Sequence, residues 1–398
     1  MKHCTIRTML STAALTLLCL AFSFTNAAAQ GRFQVKPHID VDWQSDSNFN
    51  YSESNEKSVY TYSVKPGIDL AYGTDKSEVS FDYYFQVFRY DDQDENIPGQ
   101  VDADEYDYTA HHARFQAFTQ FSPRLRLGLE NTFWSTRDQA NSDENTNSVE
   151  RYKYNLNRLS PGLVYEFGKK FGLGLKYTNL YTDYSDDGPG EGEDSTEHRA
   201  TMTWFYNLNT RTTFDLDFQY WNRDYKKDTS DYDSSQVMLN YTRHFNHLKL
   251  KAGVGYHNRE FVKDVPSGDI DKVVWKLSGI WTMPKTTMEL SVGSNLNDSG
   301  TGDNYYDSTR VDAILTHRFT QKIRGHLSGF YQNADYETYD RDDDRWQASL
   351  GGDYRILPNF LVGISGGLEE RDSNVSGRNY DNEFIMINAR FDYDLGSR

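Results

Sequence analysis

From Leu248 to Tyr256 the chain reads LKLKAGVGY, so that Leu248, Leu250, Ala252, Val254 and Tyr256 alternate with Lys249, Lys251, Gly253 and Gly255. In an extended strand successive side chains point to opposite faces, which gives this segment one apolar face and one charged or small face. Helical spacing does not fit it. The same alternation recurs at Leu125, Leu127 and Leu129 against Arg126, Gly128 and Glu130. It returns at Phe171, Leu173, Leu175 and Tyr177 against Gly172, Gly174 and Lys176, and at Phe214, Leu216, Phe218 and Tyr220 against Thr213, Asp215, Asp217 and Gln219.

The connections between these strands alternate between short and long. Short turns fall at 73–77, 122–124, 168–170, 209–211, 246–247, 284–286, 320–322 and 355–359; longer polar segments centre near 50, 98, 142, 189, 228, 265, 301, 340 and 375. Eight turns and nine loops predict eighteen strands, at 33–43, 58–72, 78–89, 107–121, 124–135, 150–167, 171–184, 197–208, 212–223, 235–245, 248–261, 271–283, 287–296, 307–319, 323–334, 345–354, 360–370 and 380–395. Strand six shifts its apolar phase around Leu159-Ser160-Pro161, which predicts a bulge or bend. A propeller packs four short strands into each ~40–45-residue repeat, whereas this chain has two long strands per period. Membrane strands of ~9–11 tilted residues, short turns on one side and long loops on the other fit the pattern directly.

Aromatic placement supports the same architecture. The residues entering the short turns are Tyr72, Phe121, Phe167, Tyr206, Phe245, Trp281, Phe319 and Tyr354, aromatic every time. A second set, including Trp43, Tyr60, Tyr108, Phe133, Tyr181, Tyr220, Tyr256, Tyr331 and Trp346, lies near the long loops. Rings at both ends of an apolar band suit two membrane–water interfaces, and the first set is expected to form the periplasmic girdle. The fold class that follows is all-β: a transmembrane antiparallel up-and-down barrel of about eighteen strands with short periplasmic turns and long extracellular loops.

Composition closes off the other classes. Only 37% of the 398 residues are hydrophobic and 25% are charged, and beyond the N-terminus no stretch approaches the ~20 apolar residues of a membrane helix. Disorder is excluded by the 15% aromatic content. Lys2 and Arg7, the apolar run from Met9 to Phe24 and Ala27-Ala28-Ala29 read as a cleaved secretory signal over 1–29, which leaves 30–398 as the barrel. Both cysteines, Cys4 and Cys19, lie inside that leader, so the remainder needs no disulfide; Leu18 before Cys19 is too bulky for a lipoprotein signal. The leader carries no acid, so the exported part is even more acidic than the whole chain at −17, and nucleic acid is not a partner.

The alternation places a mixed set of charges on the inner face. Pore-lining candidates are Lys36, Lys65, Arg114, Arg126, Lys176, Asp215, Asp217, Lys249, Lys251, Glu289, Arg318, Arg324 and Arg390, accompanied by Asp40, Asp69, Asp82, Glu130, Glu166, Asp312 and Asp353. A barrel this wide leaves an aqueous lumen, where such residues either orient a polar solute or simply line water. The turns are basic, and the loops are acidic, with Asp91, Asp92, Asp94, Glu95, Asp102, Asp104 and Glu105 in the second, Asp186, Asp187, Glu191, Glu193 and Asp194 in the fourth, and Asp340, Asp342, Asp343 and Asp344 in the eighth. An acidic mouth would concentrate cations, or bridge through divalent ions to lipopolysaccharide phosphates. The scattered histidines sit in no nucleophile or metal-ligand motif, and no catalytic site, cofactor or metal site is expected.

The leader, the Tyr- and Asp-rich hairpins spanning nearly all of 30–398, and the last strand, Glu383-Phe-Ile-Met-Ile-Asn-Ala-Arg-Phe-Asp-Tyr-Asp-Leu395, resemble the Putative beta-barrel porin 2 family of bacterial outer-membrane proteins. The resemblance implies a Gram-negative cell outer membrane location among lipid and lipopolysaccharide, and insertion by the barrel assembly machinery. That family is similar in places to barrels of exopolysaccharide secretion, which implies polysaccharide passage with periplasmic polysaccharide-export components as partners. One departure is that Phe391 and Tyr393 are followed by Leu395-Gly-Ser-Arg398, where strands of this kind end on an aromatic. The function expected is a water-filled channel for passive passage of small polar solutes. A polysaccharide-export conduit and a non-conducting structural barrel are the alternatives.

Overall fold

The computed structural model describes residues 31–93, 101–137, 151–185, 194–226, 231–262, 268–298, 305–336 and 340–395. The expected leader over 1–29, the centres of the loops near 98, 142, 189, 228, 265 and 301, and the last three residues lie outside these. Eighteen strands are present: β1 (Arg32–Asp46), β2 (Val59–Gly73), β3 (Ser77–Asp92), β4 (Tyr108–Ser122), β5 (Leu125–Thr136), β6 (Tyr154–Glu166), β7 (Phe171–Tyr184), β8 (Ser195–Asn209), β9 (Thr212–Tyr225), β10 (Tyr232–His244), β11 (Leu248–Phe261), β12 (Ile270–Thr282), β13 (Thr286–Asp298), β14 (Tyr305–Arg318), β15 (Ile323–Tyr336), β16 (Arg341–Leu357), β17 (Phe360–Ser373) and β18 (Tyr380–Asp392). Among the described residues a 3-10 turn, Ala103–Tyr106, precedes β4.

Each strand pairs antiparallel with its sequence neighbours, and β1 pairs with both β2 and β18, which closes the sheet. The seam runs from Asp46↔Phe384 to His38↔Asp392. Backbone bonds from Tyr393 N to Pro37 O and from Leu395 N to Val35 O, both 3.0 Å, carry it on toward the turn end. The loop between β1 and β2 folds back over the same seam: Asn48 donates its backbone N–H to Asn382 Oδ1 at 2.9 Å and its Nδ2 to the Asp381 carbonyl at 2.9 Å. No edge remains, which is what hydrocarbon requires of a sheet.

Register shifts occur at Gln120/Ser122, Asn207/Asn209 and Arg355/Leu357, all beside short turns. Of the bulge or bend expected at Leu159-Ser160-Pro161, the bulge is absent, although the pairing with β7 lapses at Ser160 and Pro161. Asn131↔Leu159 and Leu129↔Pro161 share one register, as do Leu159↔Asn179 and Gly162↔Lys176. The apolar phase changes there because the surroundings change along a continuous strand. Below Leu159, Pro161, Leu163 and Tyr165 face outward, whereas above it Tyr154 and Leu156 turn inward and pack with Leu180 and Tyr184. A second correction concerns β16, which begins at Arg341, so Asp342, Asp343 and Asp344 are strand residues rather than loop residues; Asp91 and Asp92 likewise end β3.

On the outer face the alternate positions are exposed and apolar, as at Leu350, Val254 and Ile364. The eight aromatics beside the turns, from Tyr72 to Tyr354, occupy outward positions, and all but the part-buried Tyr206 are exposed. Four outer tyrosines share one diagonal contact. The Tyr220 phenol donates to Asp233 at 2.9 Å, Tyr331 donates to Asp344 at 2.6 Å, and Tyr83 and Tyr177 meet His111 and His198 at 3.1 and 2.6 Å. In each case the partner lies two residues loopward of the tyrosine's ladder mate, so the ring covers the apolar band and the hydroxyl reaches the polar zone. Tyr108 departs from the second aromatic set: it faces inward and is buried with Phe49 and Val59.

Placing a cation in the outer band tests this orientation. Leu277→Arg, midway along the outer face of β12, is expected to destabilise the barrel in lipid by about 2–4 kcal/mol, measured by chemical unfolding in bilayers. Lys251→Arg on the inner face is expected to change it little.

Candidate functional site

Register places all thirteen pore-lining candidates on the face opposite the apolar band. Lys65 and Arg390 flank Asp40 across the closing seam, at 3.7 and 3.8 Å. Arg114 bridges Glu130 and Arg126 bridges Glu166, each at 2.8 Å, and Arg324 bridges Asp353 at 2.6 Å. Asp217 accepts from Thr203 Oγ1 at 2.6 Å and from Asn240 Nδ2 at 2.7 Å, with Asp215 one inward step nearer the turns. Lys249, Lys251 and Glu289 share a recess of 240 Å³ with Asp312. Lys176 lines a larger cavity of 740 Å³. Lys36 lies 4.0 Å from Asp394, and Arg318 donates to the Pro284 carbonyl at 2.8 Å, so both belong to the turn-end rim. Most of these pairs are solvated, and each contributes little to stability.

Burial is concentrated at the loop end. Four clusters sit there: Phe49, Val59, Tyr90 and Tyr108; Tyr154, Leu156, Leu180 and Tyr184; Trp221, Tyr225, Tyr232, Ile270 and Tyr305; and Tyr306, Ala334 and Tyr336. Their aromatic members make ring contacts across strands, such as Phe261–Tyr305 at 4.5 Å and Tyr306–Tyr336 at 5.1 Å. Among the described residues, the buried apolar clusters thus form a collar at the loop end of the barrel.

Threaded through the collar is a set of arginines that the sequence reading did not single out. Arg223 is 1% exposed and bridges Glu197 at 2.6 Å; Arg199 holds the other oxygen of that carboxylate at 2.9 Å and lies 4.3 Å over Trp221. Arg259, also 1% exposed, donates Nε to Ser234 Oγ at 3.2 Å and stacks 4.1 Å over Tyr232. On the far side Arg345 bridges Glu369 at 2.6 Å, Tyr380 donates to the same carboxylate at 2.7 Å, and Arg341 pairs with Asp343. Arg310 bridges Asp312 at 2.9 Å over the Phe330 ring at 3.7 Å. The inward phase of Asp215, Asp217 and Gln219 runs on to Trp221 and Arg223, so period two carried past the lipid band would have found them.

Several of the acids expected to make an acidic mouth are engaged with the wall. Asp92 bridges Lys57 at 2.8 Å, and Asp194 accepts the Tyr184 amide at 2.8 Å and meets Lys226 at 3.5 Å. Asp343 is buried against Arg341. These carboxylates fasten loops and strands at the rim.

Breaking a buried ion pair leaves an unpaired charge. Glu197→Gln is therefore expected to cost about 3–5 kcal/mol in chemical unfolding of the detergent-folded barrel, because Arg223 and Arg199 lose their shared carboxylate. Adding Arg223→Met is expected to restore part of that loss.

Among solved structures the chain is similar to Pseudomonas aeruginosa OccK2 (OpdF), at 10% identity and a TM-score of 0.51 over 90% of this chain and 98% of that one. A structure of the same protein in complex with glucuronate gives 11%, 0.52, 92% and 98%. Acinetobacter baumannii OccAB2 gives 10%, 0.50, 91% and 98%. Likeness at this identity shows a shared barrel fold. A search of curated protein sequences finds no match. The family model described as Putative beta-barrel porin 2 matches residues 28–393, nearly the whole barrel, and the chain belongs to that family.

Proposed function

We propose that this barrel is a water-filled outer-membrane channel through which small polar solutes pass passively. The observation that carries the reading is the closed eighteen-strand sheet with charges of both signs facing its interior and an apolar exterior. An eighteen-strand barrel has a lumen too wide for wall side chains alone to fill, so water occupies what they leave. The loop-end collar narrows the entrance, and the turn-end half forms a wider vestibule on the periplasmic side. Solutes pass the collar, where side chains such as Arg199 and Arg310 stay partly exposed, and then the paired charges of the vestibule wall.

Membership in a porin family supports passage as the activity. Similar barrels are solved with glucuronate (OccK2) and with vanillate (Pseudomonas aeruginosa OpdK), which supports small organic solutes. Both termini of the sheet lie on the short-turn side, consistent with insertion from the periplasm after export by the N-terminal leader.

Single-channel recording in planar bilayers tests the proposal. The purified barrel is expected to give discrete, sustained current steps. A folded barrel that inserts and stays silent would remove the channel reading, in favour of a structural barrel or a conduit that conducts only with partner proteins.

A further inference from the structure

On the turn-end side of the collar, the wall from β3 to β8 opens into the 740 Å³ cavity, inside the ~300–1,000 Å³ range of small-ligand sites. Its floor is bare backbone: Gly128, Gly162, Gly172 and Gly174 occupy inward positions on three adjacent strands where side chains would otherwise fill the space. Two phenylalanines and Val164 break the polar inner face here. Phe205 lies flat over the floor; a Cβ at Gly174 would meet its ring at 3.1 Å and one at Gly172 at 3.6 Å. Phe118, opposite Gly128, is 47% exposed on the wet side of the sheet.

The charges around these rings balance. Arg126 is bridged to Glu166, and Glu130 is held by Arg114 at 2.8 Å and by Gln116 at 3.3 Å. Lys176 and Glu78 add one charge of each sign to the lining. Thr201, Thr203, Ser80 and Asn207 supply neutral donors and acceptors. Counting Arg114, which lies beside the lining and bridges Glu130, three acids face three bases, so the wall offers no excess of positive charge to an organic anion and none of negative charge to a cation. It does offer apolar ring surface beside charged hydrogen-bonding groups, and charge-assisted hydrogen bonds are the strong ones.

We propose that this vestibule is a binding station for an uncharged, polyhydroxylated solute of sugar size. The C–H faces of the solute rest on Phe118 and Phe205, and its hydroxyls bond to the balanced charges and hydroxyls of the wall. This rests on the channel reading above and names the class of solute. Paired carboxylates and guanidinium groups suit vicinal hydroxyls, because each keeps unused acceptors or donors after bridging its partner. The competing role for the rings is to stiffen a glycine-rich wall by covering it.

The test uses the full barrel in planar bilayers with maltotriose, and sodium gluconate as the anionic counterpart, added on the turn side. Maltotriose is expected to interrupt the ion current at lower concentration than gluconate. Phe118→Leu and Phe205→Leu, which keep apolar bulk but remove the aromatic face, are expected to raise the half-blocking maltotriose concentration about three- to tenfold. Heat-modified gel mobility checks that both variants fold, and titration calorimetry of maltotriose into detergent-folded protein gives a readout independent of conduction. Preferential block by gluconate, no sugar block in a conducting wild type, or leucine variants indistinguishable from wild type would each overturn the proposal. If the barrel is silent, the channel reading fails by itself: sugar heat weakened in the leucine variants then upholds the site, and absent heat overturns it too.

Discussion

Inside a bilayer a backbone N–H or C=O has no water to turn to, and each unpaired group costs several kcal/mol. The pairing of β1 with β18 follows from that constraint, and most of the molecule follows from the pairing. Once the ribbon closes, every strand has two neighbours and its two faces meet different solvents. A one-residue slip would then turn every polar inner residue of a strand into hydrocarbon, so register is held by solvent as well as by hydrogen bonds. The seam has extra support where chain connectivity gives none. Asn48, folded back from the β1–β2 loop, bonds to Asn382 and Asp381, while Tyr393 and Leu395 extend the ladder along β1.

The interior solves a different problem at each end. Near the turns, wide spacing and glycine leave room for water, and charged residues sit in solvated pairs such as Arg126–Glu166. Near the loops the wall rises out of the membrane, and the inner face is the one place where apolar groups can be withdrawn from water. Tyrosines and leucines gather there, and guanidinium groups gather with them because arginine stacks on rings while its fork engages carboxylates. Arg199 does both, lying over Trp221 and sharing Glu197 with Arg223. Such buried pairs hold a fixed geometry more than they add stability.

Strand count, order and facing were legible in the sequence because period two and the alternation of turn lengths are set by the pleat and the membrane, which act on every hairpin alike. β7 and β11 match their predicted bounds residue for residue. Legibility failed where lipid stops being the reference. Asp342 to Asp344 read as loop because they are acidic, yet β16 runs through them above the band, with Asp343 turned inward to Arg341. Leu156 and Tyr154 broke the apolar phase of β6 for the same reason, and Tyr108 joined the wrong ring. At the site, the phase identified inward charges but not which of them pair, since Lys65 and Arg390 meet at Asp40 only once the first and last strands are joined. Phe118 and Phe205 were passed over because inward aromatics look like noise until a cavity is seen beside them.

The architecture rests on an alternation in which one face of each strand meets acyl chains and the other meets water. It is tested most directly by single cysteine substitutions along 249–255 in β11, each spin-labelled in lipid vesicles, with collision rates measured against oxygen and against a water-soluble nickel complex. Labels at Leu250, Ala252 and Val254 should be relaxed by oxygen, and those at Lys249, Lys251 and Gly253 by nickel, with a period of two. Uniform accessibility along the segment, or a helical period, would contradict the account.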